Sequence, residues 1–132
     1  MTKLVVDASV AIVAVADERG FALLGEYDLV APRLMWSEAT SVLHTMVWRR
    51  AASREDGEIM LDRLERCPVA KQSPSGLIRR SWSVADRLGW AKTYDAEYVA
   101  LAQMLDCDLV TIDLRLHRAA TGSGRVRTLD EL

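Results

Sequence analysis

The residues with chemistry to offer in this 132-residue chain are carboxylates rather than thiols or imidazoles. Asp7 follows the apolar run Lys3-Leu4-Val5-Val6, and Asp113 follows a second, Leu109-Val110-Thr111-Ile112. Asp95 opens a helical stretch in Thr93-Tyr94-Asp95-Ala96, and Glu38 falls in the first turns of another, behind Pro32. In open α/β sheets ligands sit outside the carboxyl ends of the strands, so acids from four regions of the chain can meet at that edge. Two carboxylates about 4 Å apart repel by roughly 4 kcal/mol at an effective dielectric near 20. Four together stay ionised only with a cation among them; otherwise some take up protons. Magnesium or manganese accepts such an all-oxygen ligand set. A bound divalent ion activates water and stabilises a phosphodiester under attack, the chemistry of metal-dependent nucleases. Each acid also has a plainer use: Asp95 as a helix N-cap, Asp113 as the start of a turn, Glu38 as a solvated helix residue. Asp7, directly after a buried apolar strand, has the weakest structural explanation.

The elements that must position these acids read as alternating strands and helices. Short continuous apolar runs at residues 3–6, 28–31 and 109–112 read as buried parallel strands, with further short strands at 69–70 and 126–129. Helices are expected at 8–16, 21–25, 33–52, 75–88, from 95 to about 105, and at 114–120. Another begins behind Ser53, an N-cap with Glu55 and Asp56 close behind, and ends near Pro68. Met35, Ala39, Val42, Leu43, Met46 and Val47 recur at three and four, one apolar face of the long helix. Gly89 and the turn Gly122-Ser123-Gly124 punctuate the second half. The pattern is of the α/β class: a short central parallel sheet flanked by helices, with helix dominating. Length fits one domain over residues 1–132.

Composition narrows the function classes. With 50% hydrophobic and 27% charged residues, general disorder is excluded. Cys67 and Cys107 form no CxxC pair and there are two histidines, His44 and His117, so zinc chemistry is not indicated and two reduced thiols are expected. Asp7 interrupts the apolar N-terminus, and residues 8–16 fall short of the roughly 18 a membrane span needs. A cytoplasmic protein without membrane contact is expected. The formal charge of −2, from seventeen Lys and Arg against nineteen Asp and Glu, argues at first sight against a nucleic-acid partner. Setting aside the four candidate acids, nineteen less four leaves fifteen, and the rest of the chain carries +2. Arg outnumbers Lys 14 to 3, and Arg115 stands two residues past Asp113, where it can face a pocket and meet a phosphate. Glu97 and Asp108 lie off the motif positions and read as structural.

Four segments, in order, resemble the PIN-domain proteins, especially the toxin ribonucleases of VapBC-type toxin–antitoxin modules. They are Leu4-Val5-Val6-Asp7-Ala8-Ser9-Val10, Ala31-Pro32-Arg33-Leu34 with Glu38, Tyr94-Asp95-Ala96-Glu97-Tyr98-Val99-Ala100-Leu101-Ala102, and Leu109-Val110-Thr111-Ile112-Asp113-Leu114-Arg115-Leu116. The resemblance runs from about residue 3 to 129. It implies a PIN-like fold with an acidic pocket at one sheet edge, and a metal-dependent endoribonuclease toxin neutralised by a cognate antitoxin. Carried over by motif, Asp7, Glu38, Asp95 and Asp113 become the metal-binding acids for Mg2+ or Mn2+. Thr111 matches a hydroxyl position that holds the cluster or a water. Family members often have Asn three residues after the glutamate; here Ser41 stands there, one helical turn from Glu38. RNA, an antitoxin and a second copy of the chain are the implied partners, with Trp36 and Trp48 as interface candidates. A housekeeping RNA-processing nuclease and a non-catalytic RNA-binding domain are the alternatives. A receiver-like phosphoacceptor wants a paired acid and a late lysine, and a haloacid-dehalogenase-type phosphatase wants Asp-x-Asp; Asp7-Ala8-Ser9 fits neither.

Overall fold

The structure is a computed structural model and describes residues 1–120, 122 and 125–132. Five parallel strands form one sheet in the order β3-β2-β1-β4-β5. β1 (Thr2–Val6) is central, β2 (Tyr27–Ala31) and β3 (Ala70–Lys71) lie on one side, and β4 (Asp108–Val110) and β5 (Val126–Arg127) on the other. Among the described residues six α-helices flank them: α1 (Ala8–Val15), α2 (Leu34–Trp48), α3 (Arg54–Glu65), α4 (Leu77–Leu88), α5 (Tyr94–Leu105) and α6 (Leu114–Ala119). The strands are continuous apolar runs because helices cover both faces: Val5, Val6, Val30, Ala31, Leu109 and Val110 are all buried. α5 is enclosed on nearly every side, with Ala96 and Tyr98 through Ala102 buried against α4, β1 and β4. Its alanines let the helix approach closely, so buried residues run consecutively instead of tracing one stripe.

Several boundaries differ from the sequence reading for identifiable reasons. α2 ends at Trp48 rather than at residue 52, because Arg50 turns into the left-handed region at φ 60°. The Arg50 N–H then donates to the Val47 carbonyl and the Ala51 N–H to the Met46 carbonyl, the Schellman pattern. Within α2 the buried stripe is Met35, Ala39 and Leu43, and Val42 is exposed. Gly89, at φ 71°, closes α4, which starts at Leu77 rather than Ser75. β4 stops at Val110, and β5 stops at Arg127, where Thr128 caps a short 3-10 turn. Ser53 caps α3 by accepting from the Asp56 N–H at 3.0 Å. The expected turn at Gly122-Ser123-Gly124 lies, apart from Gly122, outside the described residues.

This topology has one consequence for function. From β1 the chain steps to β2 on one side, while β4 lies on the other, so the strand order reverses between β1 and β4. Crevices at such switch points, beyond the carboxyl ends of the strands, are where α/β sheets bind ligands. Asp7 directly follows β1, and Thr111 and Asp113 follow β4. No helix among the described residues is long and apolar enough to cross a membrane.

Candidate active site

Asp7 sits where β1 turns into α1, 5% exposed. It is the N-cap of α1: its Oδ1 accepts from the Val10 N–H at 3.1 Å and from the Ser9 hydroxyl at 2.6 Å. Its Oδ2 accepts from the Thr111 hydroxyl at 2.5 Å. Thr111, fully buried, also accepts from the Asp113 N–H at 3.0 Å, so one hydroxyl ties the ends of β1 and β4 together. Ser9 Oγ lies 3.3 Å from Thr111 Oγ1 and accepts from the Ile112 N–H at 3.2 Å. The Thr111 N–H still donates to the Arg127 carbonyl at 3.0 Å, whereas the Ile112 N–H is turned to Ser9, so the ladder ends as the chain enters the acid network. Burial pushes the Asp7 carboxyl above its ordinary value against these hydrogen bonds, and the charge of Asp95 adds to the rise.

Glu38 is half-buried in the second turn of α2. Its Oε1 accepts from the Tyr98 hydroxyl at 2.5 Å. Burial raises the Glu38 pKa, Tyr98 opposes the rise, and the charges of Asp95 and Asp7 reinforce it. Glu97, also half-buried, is raised by burial and by the charge of Glu38. The charge of Asp95 thus bears on both Asp7 and Glu38, and that of Asp7 on Glu38. Asp95 stands in the first turn of α5, whose N-cap position is held by Thr93, so Asp95 does not serve as the cap.

Asp113 caps α6, its Oδ1 accepting from the N–H groups of Arg115 at 2.9 Å and Leu116 at 3.3 Å. One terminal guanidinium nitrogen of Arg115 lies 3.2 Å from Asp95 Oδ2 and 3.5 Å from Asp113 Oδ2, bridging two acids that sequence separates. Beside these acids opens a cleft of about 560 Å³ lined by Glu38, Trp90, Lys92, Tyr94, Asp95 and Arg115 among others.

The site at the switch point links Asp7, Asp113 and Asp95 through Thr111 and Arg115, with Glu38, held by Tyr98, in electrostatic reach of Asp7 and Asp95. Ser41 does not join it: it is exposed on α2, lines a shallow groove with Ser37, Thr40 and His44, and has no hydrogen bond to the acids among the described residues. Its place on the next turn carries it along the helix and away from the sheet edge. Asp108 is tied to Arg127 at 2.8 Å and is structural, as read. Glu97, read as structural, lies instead within electrostatic reach of Glu38. Ser9 and Tyr98 were not singled out. Tyr98 carried one usable signal, since a tyrosine on a buried helix face needs a partner for its hydroxyl. Ser9, two residues past Asp7, sits in the first turn of α1, where side-chain oxygens pair locally. His117 is largely covered and pairs with Glu131 at 2.8 Å. Cys67 and Cys107 are both free thiols. Trp36 is half-buried under the ammonium of Lys71, 5.1 Å from its ring centre, whereas Trp48 and Trp82 are exposed.

The chemistry of the donor set fits a hard divalent cation: oxygen donors only, at a strand edge, with the ionised state of Asp7 and Glu38 disfavoured when no cation is present. Among the described residues no three acidic, histidine or cysteine side chains stand close enough to hold an ion as they lie. The Arg115 guanidinium holds the space between Asp95 and Asp113.

Comparison with known proteins agrees with this architecture. The family model described as PIN domain matches residues 4–122. VapC ribonuclease Mb0985 from Mycobacterium bovis is 39% identical over 114 residues, covering 86% of this chain and 87% of that protein. Ribonuclease VapC9 from Mycobacterium tuberculosis matches with the same identity and coverage. The crystal structure of PAE2754 from Pyrobaculum aerophilum superposes with a TM-score of 0.74 at 21% identity, over 98% of this chain and 90% of that one, a likeness of fold. The chain belongs to the PIN-domain family, among the VapC ribonucleases.

Proposed function

We propose that this protein is a divalent-metal-dependent endoribonuclease, the toxin of a toxin–antitoxin pair, acting in the cytoplasm. The observation that supports the reading is the linkage of Asp7, Asp113 and Asp95 at the switch point of the sheet, with Glu38 in electrostatic reach of Asp7 and Asp95, in a chain whose relatives are VapC ribonucleases. Asp7, Glu38, Asp95 and Asp113 would hold Mg2+ or Mn2+. When bound, such an ion eases deprotonation of water and offsets charge on the phosphodiester in the transition state.

The rest is the work of the chain. Ser9 and the Val10 N–H occupy Oδ1 of Asp7 and Thr111 takes one lone pair of Oδ2, leaving the other lone pair of Oδ2 for a ligand. Tyr98 fixes one oxygen of Glu38 and leaves the other free. Lys92 and Arg115 line the cleft and meet the phosphates of the RNA, and the exposed Tyr94 offers a face for an unpaired base. Binding phosphate alone gains nothing from four carboxylates, so the acids favour catalysis over a purely RNA-binding role.

Two apolar surfaces suit the protein partners. A groove between α2 and α3 lined by Leu43, Val47 and Leu61, with exposed Trp48 nearby, suits an apolar segment of an antitoxin. Ile78 and Trp82, one turn apart and exposed on α4, suit a second copy of the chain. The test is incubation with single-stranded RNA in Mg2+ or Mn2+ and, separately, in EDTA. Internal cuts that require the ion and cease on adding the antitoxin support the reading; cutting unaffected by EDTA, or none on any RNA, refutes it.

A further inference from the structure

We infer that Arg115 is a built-in counter-ion of the acidic site, filling the cation position between Asp95 and Asp113 until a divalent ion displaces it into the cleft. The inference rests on the metal-binding reading above and adds the step by which the site exchanges one cation for another.

The geometry is specific. Asp113 spends Oδ1 on the N–H groups of Arg115 and Leu116, so only Oδ2 remains for a ligand. That oxygen and Asp95 Oδ2 are the two that the same Arg115 nitrogen approaches, at 3.5 and 3.2 Å. An ion held between Asp95 and Asp113 would draw on the Asp113 Oδ2 that Arg115 approaches and would take up the space of its guanidinium, so ion and guanidinium compete for one place. The backbone of Arg115 is fixed in the first turn of α6, within reach of both carboxylates, while its side chain is 74% exposed. An exposed side chain in a pair of this kind leaves its partners at little cost. Its range then lies over the cleft lined by Lys92 and Tyr94, where a planar guanidinium suits a phosphate. The same charge that keeps the empty acids from repelling one another thus becomes available to the RNA once the ion is in place. Arg115 is in this sense a positioning residue toward the metal and a contact residue toward the substrate.

The test is Mn2+ titration by calorimetry on the full chain without RNA, comparing wild type with Arg115→Ala and Lys92→Ala. Removing the competitor tightens Mn2+ binding by about three- to tenfold in Arg115→Ala, since each exposed pair contributes up to a factor of about five. Lys92→Ala removes a positive charge from the same cleft but makes no ion pair with the acids among the described residues, so it changes the affinity much less. Arg115→Lys, a point charge able to stand in the same place, restores most of the wild-type value. In EDTA, Arg115→Ala melts below wild type, and saturating Mn2+ removes the difference. Equal tightening in Lys92→Ala, or unchanged affinity in Arg115→Ala, overturns the inference while leaving the metal site standing. Absence of Mn2+ binding in wild type overturns the metal site itself, and the inference with it.

Discussion

Removing the Tyr98 hydroxyl deletes the bond on which the geometry of Glu38 depends, along with its contact to the Ala8 backbone. The phenol is 1% exposed and donates to Glu38 Oε1 at 2.5 Å across sixty residues of sequence. Tyr98→Phe keeps the ring in its pocket, so packing is nearly unchanged. A hydrogen bond to a charged group contributes about 1.5–3 kcal/mol, against about 0.5–1.5 for a neutral pair. Glu38 is half-buried and can recruit water on its open side, so the loss at neutral pH belongs at the lower end, about 1.5–2 kcal/mol. Burial holds the Glu38 pKa above its ordinary 4.5, and Tyr98 pulls it down. A carboxylate raised in the folded state contributes stability below its unfolded pKa and loses it as pH climbs through the folded value. Without Tyr98 the folded value climbs further, so the mutant loses more than wild type as pH rises. The deficit of Tyr98→Phe is therefore largest near neutral pH and shrinks by about 1 kcal/mol where Glu38 is protonated in both states. Urea unfolding in EDTA at about pH 4.5 and about pH 7.5 measures this, with unchanged slopes confirming that only stability moved. A deficit equal at both values, or below about 0.5 kcal/mol at neutral pH, would refute the reasoning.

Other outcomes follow from the same geometry. Thr111→Val removes the donor to Asp7 and the acceptor for the Asp113 N–H in a fully buried position, costing about 2–4 kcal/mol by thermal unfolding, while Thr111→Ser retains both bonds and most of the stability. Asp7, Glu38 and Glu97 are all raised above their ordinary 3.8, 4.5 and 4.5, so in EDTA these three groups contribute stability at the acid end that is lost as pH rises through their folded values. Millimolar Mg2+ or Mn2+ reverses that loss at neutral pH, and melting curves without any ion response would count against the site. Trp48→Ala, at an exposed aromatic beside the α2–α3 groove, weakens antitoxin binding by roughly tenfold or more with no change in nuclease activity, read by titration calorimetry and RNA cutting.

The strands and the acids at their ends were legible because a buried parallel strand has to be apolar throughout. A carboxylate closing such a run is conspicuous, which is how Asp7 and Asp113 stood out. Of the groups that hold those acids, Thr111 alone was legible, through its place in the family motif. Tyr98 and Glu38 are sixty residues apart and Thr111 and Asp7 a hundred and four, and no local period links them. The early end of α2 was hidden because an arginine, rather than a glycine, takes the left-handed position at residue 50. Val42 fits the apolar repeat of α2 and yet faces solvent, since periodicity marks a stripe without saying how wide a neighbour covers it. Helical spacing likewise placed Ser41 one turn from Glu38, but a turn along α2 leads away from the sheet edge where the other acids lie. The short strands β3 and β5 were legible to within a residue or two, but two residues are too few for a pattern to fix their bounds.

The central claim is that the four carboxylates cut RNA with a divalent ion, and Asp7→Asn tests it most directly. Asparagine keeps the shape and can still accept from Val10 and Ser9, while the charge that draws an ion is gone. Wild type and Asp7→Asn, with matching circular dichroism, are incubated with single-stranded RNA in Mn2+ and the cuts counted. The account predicts ion-dependent cutting by wild type and a loss of at least about a hundredfold in the variant. Equal cutting by the two folded proteins would contradict it.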